Sequence, residues 1–136
     1  MMFWRRSGQC REQSIWKRGE RAAEKHLKRV GIRTLARNFR LPQGEIDLLC
    51  LERKTGTIVV VEVKSRQYTR DDPTNIDPTA NITASKRAKL VTLAKSVKNM
   101  PKYRDRPIRI DVVSVRFLPV LGKPSVRHYP GCVSDS

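Results

Sequence analysis

No run of apolar residues in this 136-residue chain approaches the length of a membrane span, so a helical anchor is not expected. The basic opening from Met1 to Arg21 has no apolar centre of the kind a secretory signal requires. Its arginines would suit an organelle transit segment, but Trp16 onward reads as folded helix. Cysteine is scarce and scattered. Cys10, Cys50 and Cys132 form no metal-type pair, and three thiols are an odd number for a disulfide framework, which fits a reducing cytoplasm. The two histidines, His26 and His128, lie far apart and belong to no recognisable ligand set, so zinc chemistry finds no support and both are expected at the surface. Aromatic residues make up 6% of the chain, and no basic amphipathic helix carries bulky aromatic anchors, which argues against a lipid surface as partner. Acids are the scarcest charged class, at 13 against 29 lysines and arginines.

That imbalance leaves a formal charge of +16. Such an excess points to a polyanion, because each phosphate neutralised by Lys or Arg releases counterions. Solubility by charge is the plainer alternative. Hydrophobic residues at 38% are enough for a single core. Residues 1–14 have no periodicity and read as a basic, mobile arm; residues 15–130 form one domain, and 131–136 a tail. The first helix is expected from Ile15 to Val30, stopped at Gly31, with Trp16, Glu20, Ala23, Leu27 and Val30 on one buried face. Three strands follow at Ile32–Phe39, Glu45–Glu52 and Thr57–Lys64, joined by short turns into an antiparallel meander. The β-branched run Ile58-Val59-Val60-Val61 suits a strand covered on both faces. Ser65 to Thr83 is a long polar loop. A helix from Ala84 to Met100 and a strand from Ile108 to Phe117 then suggest a parallel crossover, with a short edge strand at Ser125–Tyr129. The order αβββαβ(β) describes an α/β protein with a mixed sheet flanked by helices.

Four residues stand out on this frame. Glu62 and Lys64 are two apart on a strand, so both leave the same face, and they end a run that is otherwise apolar. Asp47 lies inside the neighbouring strand, where a short hairpin can bring it beside Glu62. Glu20 is the one acid on the buried helix stripe. Two carboxylates about 4 Å apart repel by about 4 kcal/mol at a surface-like dielectric, so they must share a proton or bind a cation. All candidate donors are oxygens, which suits Mg²⁺ or Mn²⁺. Taken singly, each acid has an ordinary explanation as a turn cap or a surface ion pair.

The segments Gly19-Glu20-Arg21-Ala22-Ala23, Ala36-Arg37-Asn38-Phe39-Arg40, Gly44-Glu45-Ile46-Asp47-Leu48 and Val61-Glu62-Val63-Lys64-Ser65-Arg66 occur in that order. With Lys86 and Ile110-Asp111-Val112-Val113, they resemble the YraN-like family of the PD-(D/E)XK, restriction-endonuclease-like nuclease superfamily, related in fold to Holliday-junction resolvases. The likeness runs from Trp16 to Tyr129. It implies a restriction-endonuclease-like core and a structure- or strand-selective, metal-dependent endonuclease of the DNA repair or recombination type that hydrolyses phosphodiester bonds. By that resemblance Asp47 and Glu62 would bind the metal together with the Val63 backbone carbonyl. Lys64 would orient or deprotonate the attacking water, and Glu20 would hold a metal-bound water or a second ion. Arg37, Arg40, Arg66, Lys86 and Arg87 are candidate nucleic-acid contacts. Two departures stand out: Ile46 replaces the superfamily's nominal proline, and Gln67 to Ile82 is longer than the family's usual turn. The partner implied is nucleic acid, DNA ahead of RNA, with no membrane and with a homodimer left open. The rival function is a non-catalytic DNA- or RNA-binding protein on a nuclease fold. A basic protein-interaction module would leave the Glu20, Asp47, Glu62 and Lys64 set without a purpose.

Overall fold

The computed structural model describes residues 7–67, 82–118 and 122–134, with side chains from residue 15 onward. Helix α1 (Ser7–Arg29) precedes strands β1 (Ile32–Leu41), β2 (Gly44–Glu52) and β3 (Thr57–Gln67). Helix α2 (Ala84–Lys98) then leads to β4 (Ile108–Phe117) and β5 (Ser125–Val133). The strands form one mixed sheet in the order β1-β2-β3-β4-β5. The first three make the expected antiparallel meander, β3 and β4 run parallel, and β5 closes antiparallel on β4. Only a crossover such as α2 lets β3 and β4 point the same way, since a tight turn reverses direction.

The central strand explains its own composition. Thr57 to Val63 of β3 are all buried, because a helix covers each face of the sheet. Ile58 and Val60 pack with Leu90, Leu93, Ala94 and Val97 of α2. Val59, Val61 and Val63 pack with Ala23 and Leu27 of α1. Alternation along the strand therefore assigns Glu62 and Lys64 to the α2 side. Thr83 caps α2, its hydroxyl accepting the Lys86 backbone N–H at 3.1 Å.

Three expectations are corrected. Helix α1 starts at Ser7 rather than Ile15, in keeping with the strong helix formers Gln9, Arg11, Glu12 and Gln13. Its buried face is also rotated. Ala23 and Leu27 are fully buried, but Trp16 is 57% and Val30 53% exposed. The contact runs through Gly19, Ala23 and Leu27 instead. A Cβ on Gly19 would lie 1.8 Å from Ser65 Oγ and 2.8 Å from Ser65 Cβ, so only glycine lets the helix come this close to β3. Finally, β5 runs past Tyr129 to Val133, which pairs with Ile110 beyond a register shift. An edge strand tolerates Pro130, and Gly131 beside it takes a positive φ of 62°. Of the expected polar loop, Ser65 to Gln67 continue β3, and residues 68–81 lie outside the described residues.

Candidate active site

The β2–β3 ladder ends at the Leu48–Val61 pair. One step beyond, Asp47 Oδ2 accepts the Val63 backbone N–H at 2.8 Å, so a side chain replaces the missing strand partner. On β1 the residue between the Arg37–Leu48 and Phe39–Ile46 pairs is Asn38, whose φ of 48° bends the strand opposite Asp47. The strands open here into a cleft of about 410 Å³ lined by Ile15, Trp16, Asp47, Glu62, Val63, Lys64, Ser65, Arg66 and Lys86. A hollow of about 230 Å³ shares Trp16, Asp47, Glu62 and Lys86 with it and adds Glu45, Lys89, Leu90 and Leu93.

Charge inside the cleft is unevenly balanced. Burial, then the neighbouring Glu62 carboxylate, push the Asp47 carboxyl up to about 7 despite the Val63 amide, with a smaller contribution from Glu20. The Asp47 carboxyl thus keeps its proton close to neutrality beside Glu62. Lys86 Nζ lies 2.6 Å from Glu62 Oε1. Burial disfavours the Lys86 ammonium, but this contact outweighs it and raises its pKa. Lys64 shifts the other way, its pKa lowered by burial and by the Lys86 charge. One lysine is therefore committed to a carboxylate, and the other is the more readily deprotonated.

The remaining sequence candidates fall outside this cluster or at its edge. Glu20 lines a neighbouring hollow with Lys17, Arg21, Glu24, Arg37 and Asn38. Burial and the Glu45 and Glu24 charges raise its pKa. Among the described residues, no group of three or more His, Cys, Asp or Glu is arranged to hold a metal, so Glu20 does not join Asp47 and Glu62 in one direct ligand set. Arg37 is paired with Glu24 at 2.6 Å, and Arg40 lies 3.6 Å from Glu45. Arg66 lines the cleft, and Arg87 is exposed on α2 beside the Ile82 carbonyl.

Sequence reading missed a second buried polar group. Asp111 is fully buried and accepts from Arg109 at 2.8 and 3.0 Å and from the Gly131 N–H at 2.9 Å. His128 Nε2 sits 2.7 Å from its other face, and Arg109 also reaches Glu52 at 3.0 Å. Burial alone would raise Asp111, but the hydrogen bonds from His128, Arg109 and Gly131 prevail and hold its carboxyl below the usual value. His128, expected at the surface, is mostly buried in this network and meets His26 edge-on at 6.3 Å. The signal was available as a lone acid inside the apolar strand Ile110-Asp111-Val112-Val113. A larger hollow of about 550 Å³ lies at the other end of β1, lined by Lys25, Lys28, Arg33, Arg53 and one acid, Glu24. Glu24 is already bonded to Arg37 and Thr34, so hydrolytic chemistry points to the smaller cleft.

A central mixed sheet, helices on both faces and an Asp47/Glu62/Lys64 cluster where β2 and β3 part define a restriction-endonuclease-like α/β core. The family model described as "Uncharacterised protein family UPF0102" matches residues 19–115. The chain belongs to this YraN-like family, which lies within the restriction-endonuclease-like superfamily. A UPF0102 protein of Clavibacter michiganensis subsp. michiganensis is 40% identical over 116 residues, covering 85% of this chain and 92% of that protein. Another from Syntrophomonas wolfei is 35% identical over 119 residues, covering 87% and 94%. Pyrococcus furiosus SfsA, solved in complex with Ca²⁺, gives a TM-score of 0.38 at 15% identity, over 82% of this chain and 62% of that one. No helix among the described residues is long and apolar enough to cross a membrane.

Proposed function

We propose that this protein is a cytoplasmic, divalent-metal-dependent endonuclease that hydrolyses phosphodiester bonds in nucleic acid, DNA ahead of RNA. The observation that carries the reading is the Asp47–Glu62 pair, which keeps a carboxyl at about 7 although two lysines line the same cleft. Such a pair has room for further positive charge. Its donors fit Mg²⁺ or Mn²⁺: two carboxylates and the Val63 carbonyl are hard oxygens, and Glu20 in the adjoining hollow suits a water or a second ion. When bound, the cation polarises the phosphate and favours hydroxide over water. Lys64, with its lowered pKa, takes the proton of the attacking water at Nζ. Lys86 spends one ammonium proton on Glu62 and, being part-exposed, keeps others for the phosphate oxygens, while the general +16 charge holds the polyanion. Water forms the new P–O bond as the 3′-oxygen leaves in line and is protonated from solvent, giving a 5′-phosphate.

One observation favours a second reading. The Lys86–Glu62 contact already neutralises one carboxylate within the chain, as a binding protein without turnover would need. Cleavage of single-stranded, duplex and branched substrates with Mg²⁺ or Mn²⁺ against EDTA separates the two. Metal-dependent cleavage is expected, and Lys64→Ala should cut it by about a hundredfold while leaving affinity nearly unchanged. Binding without cleavage across the panel supports the non-catalytic alternative; cleavage by Lys64→Ala at the wild-type rate removes Lys64 from the mechanism.

A further inference from the structure

Trp16 is one of two large hydrophobic side chains that stay exposed among the described residues. An amphipathic helix that served only the core would turn its tryptophan inward, since burying that ring is worth several times the burial of an alanine. Here the close Gly19–Ser65 contact turns the face by one residue and leaves the ring outside. Its place is specific. Trp16 lines both hollows that meet over Asp47, Glu62 and Lys86. Its indole N–H favours the ionised form of Glu20, one helical turn along. Lysines and arginines surround it: Lys64, Arg66 and Lys86 on one side, Lys89 on the other.

An exposed aromatic ring among cations is the arrangement by which proteins hold unpaired nucleotides. The ring stacks on a base while the cations follow the phosphates. A base inside a duplex has both faces covered by its neighbours and offers none to Trp16. From this placement we infer that Trp16 stacks on an unpaired base next to the phosphate that Lys64, Arg66 and Lys86 hold at the cleft. The substrate class is then single-stranded nucleic acid, or the unpaired nucleotides of a flap, loop or branch. This inference rests on the nucleic-acid reading above and adds the residue that selects strand state.

The chain contains two tryptophans, so Trp4→Phe makes the emission report Trp16 alone. This protein is titrated in EDTA and low salt with a decamer of oligothymidylate and with a blunt duplex of the same length. The single strand should quench Trp16 emission, and the duplex should not. Trp16→Ala should weaken single-strand binding about tenfold and leave duplex binding unchanged, whereas Trp16→Phe keeps most of the affinity. Circular dichroism of each variant checks that the exposed site tolerates the change. Single-strand binding without quenching, or equal affinity for wild type and Trp16→Ala, overturns the stacking role alone. Absence of binding to either ligand overturns the nucleic-acid reading and this role with it.

Discussion

Replacing Gly19 by alanine tests the contact on which the placement of α1 depends. On an exposed helix the change would stabilise by about 0.8–1.0 kcal/mol, because glycine is a poor helix former. Here the new methyl group would sit 1.8 Å from Ser65 Oγ and 2.8 Å from Ser65 Cβ. Rotating the hydroxyl relieves the first clash but not the second, because the Cβ is fixed to the β3 backbone. The helix must therefore lift, and Ala23 and Leu27, both fully buried, lose packing with it. Overpacking of this kind costs roughly 1–3 kcal/mol, and two short contacts place it at the upper end. After subtracting the helix-propensity gain, Gly19→Ala should destabilise by about 2 kcal/mol. Ser65→Gly removes both atoms of the clash. Its own side-chain loss is small, since the buried Ser65 Oγ has no hydrogen-bond partner among the described residues. In that background Gly19→Ala should turn neutral or slightly stabilising, a coupling energy of about 2–3 kcal/mol. Urea unfolding of the four proteins, followed by circular dichroism, gives the cycle directly. A stabilised single mutant, or additive effects in the double mutant, would refute the close approach and the rotated helix face that follows from it.

Two further outcomes are expected. Asp47 titrates near 7 in the folded chain against about 4 when unfolded, so between these values the native state binds more protons and stability falls as pH rises. In EDTA the loss from pH 4 to pH 8 should reach at most about 4 kcal/mol, and Asp47→Asn should flatten it. Unfolding midpoints at pH 5 and 8 measure this, and parallel behaviour of both proteins would contradict the raised value. Asp111→Asn should cost roughly 3–5 kcal/mol in thermal unfolding, because it leaves Arg109 partly buried without its main carboxylate. An unchanged melting temperature would mean that Glu52 suffices for Arg109.

Some of this architecture was legible in residue patterns and some was not. The β4 bounds, the meander and the parallel crossover followed from alternation, turn residues and the helix between strands. So did the adjacency of Asp47 and Glu62, since a short hairpin fixes the register of its two strands. Glu62 and Lys64 share a face by the period of a strand alone. Trp16 was misplaced because hydrophobicity ranks it above Gly19 as a core residue, and no pattern reveals that two backbones meet too closely for a methyl group. The Lys86–Glu62 contact joins elements 24 positions apart, by their residue numbers, and depends on where α2 docks. Asp111 looked like one more strand residue because two of its partners, His128 and Gly131, become its neighbours only when β5 pairs with β4 past its proline.

The hydrogen bond from the Val63 N–H to Asp47 gives the cleft its own spectroscopic probe. An amide proton donated to a carboxylate resonates farther downfield than one donated to a neutral carboxyl group, so protonation of Asp47 shifts this one signal. Most other amides of β3 donate within the sheet and stay put. The Val63 cross-peak in a ¹⁵N-labelled sample therefore follows the ionisation of the site by pH, without a substrate and without turnover. Any cation or phosphate that changes the proton held by the pair moves the same peak.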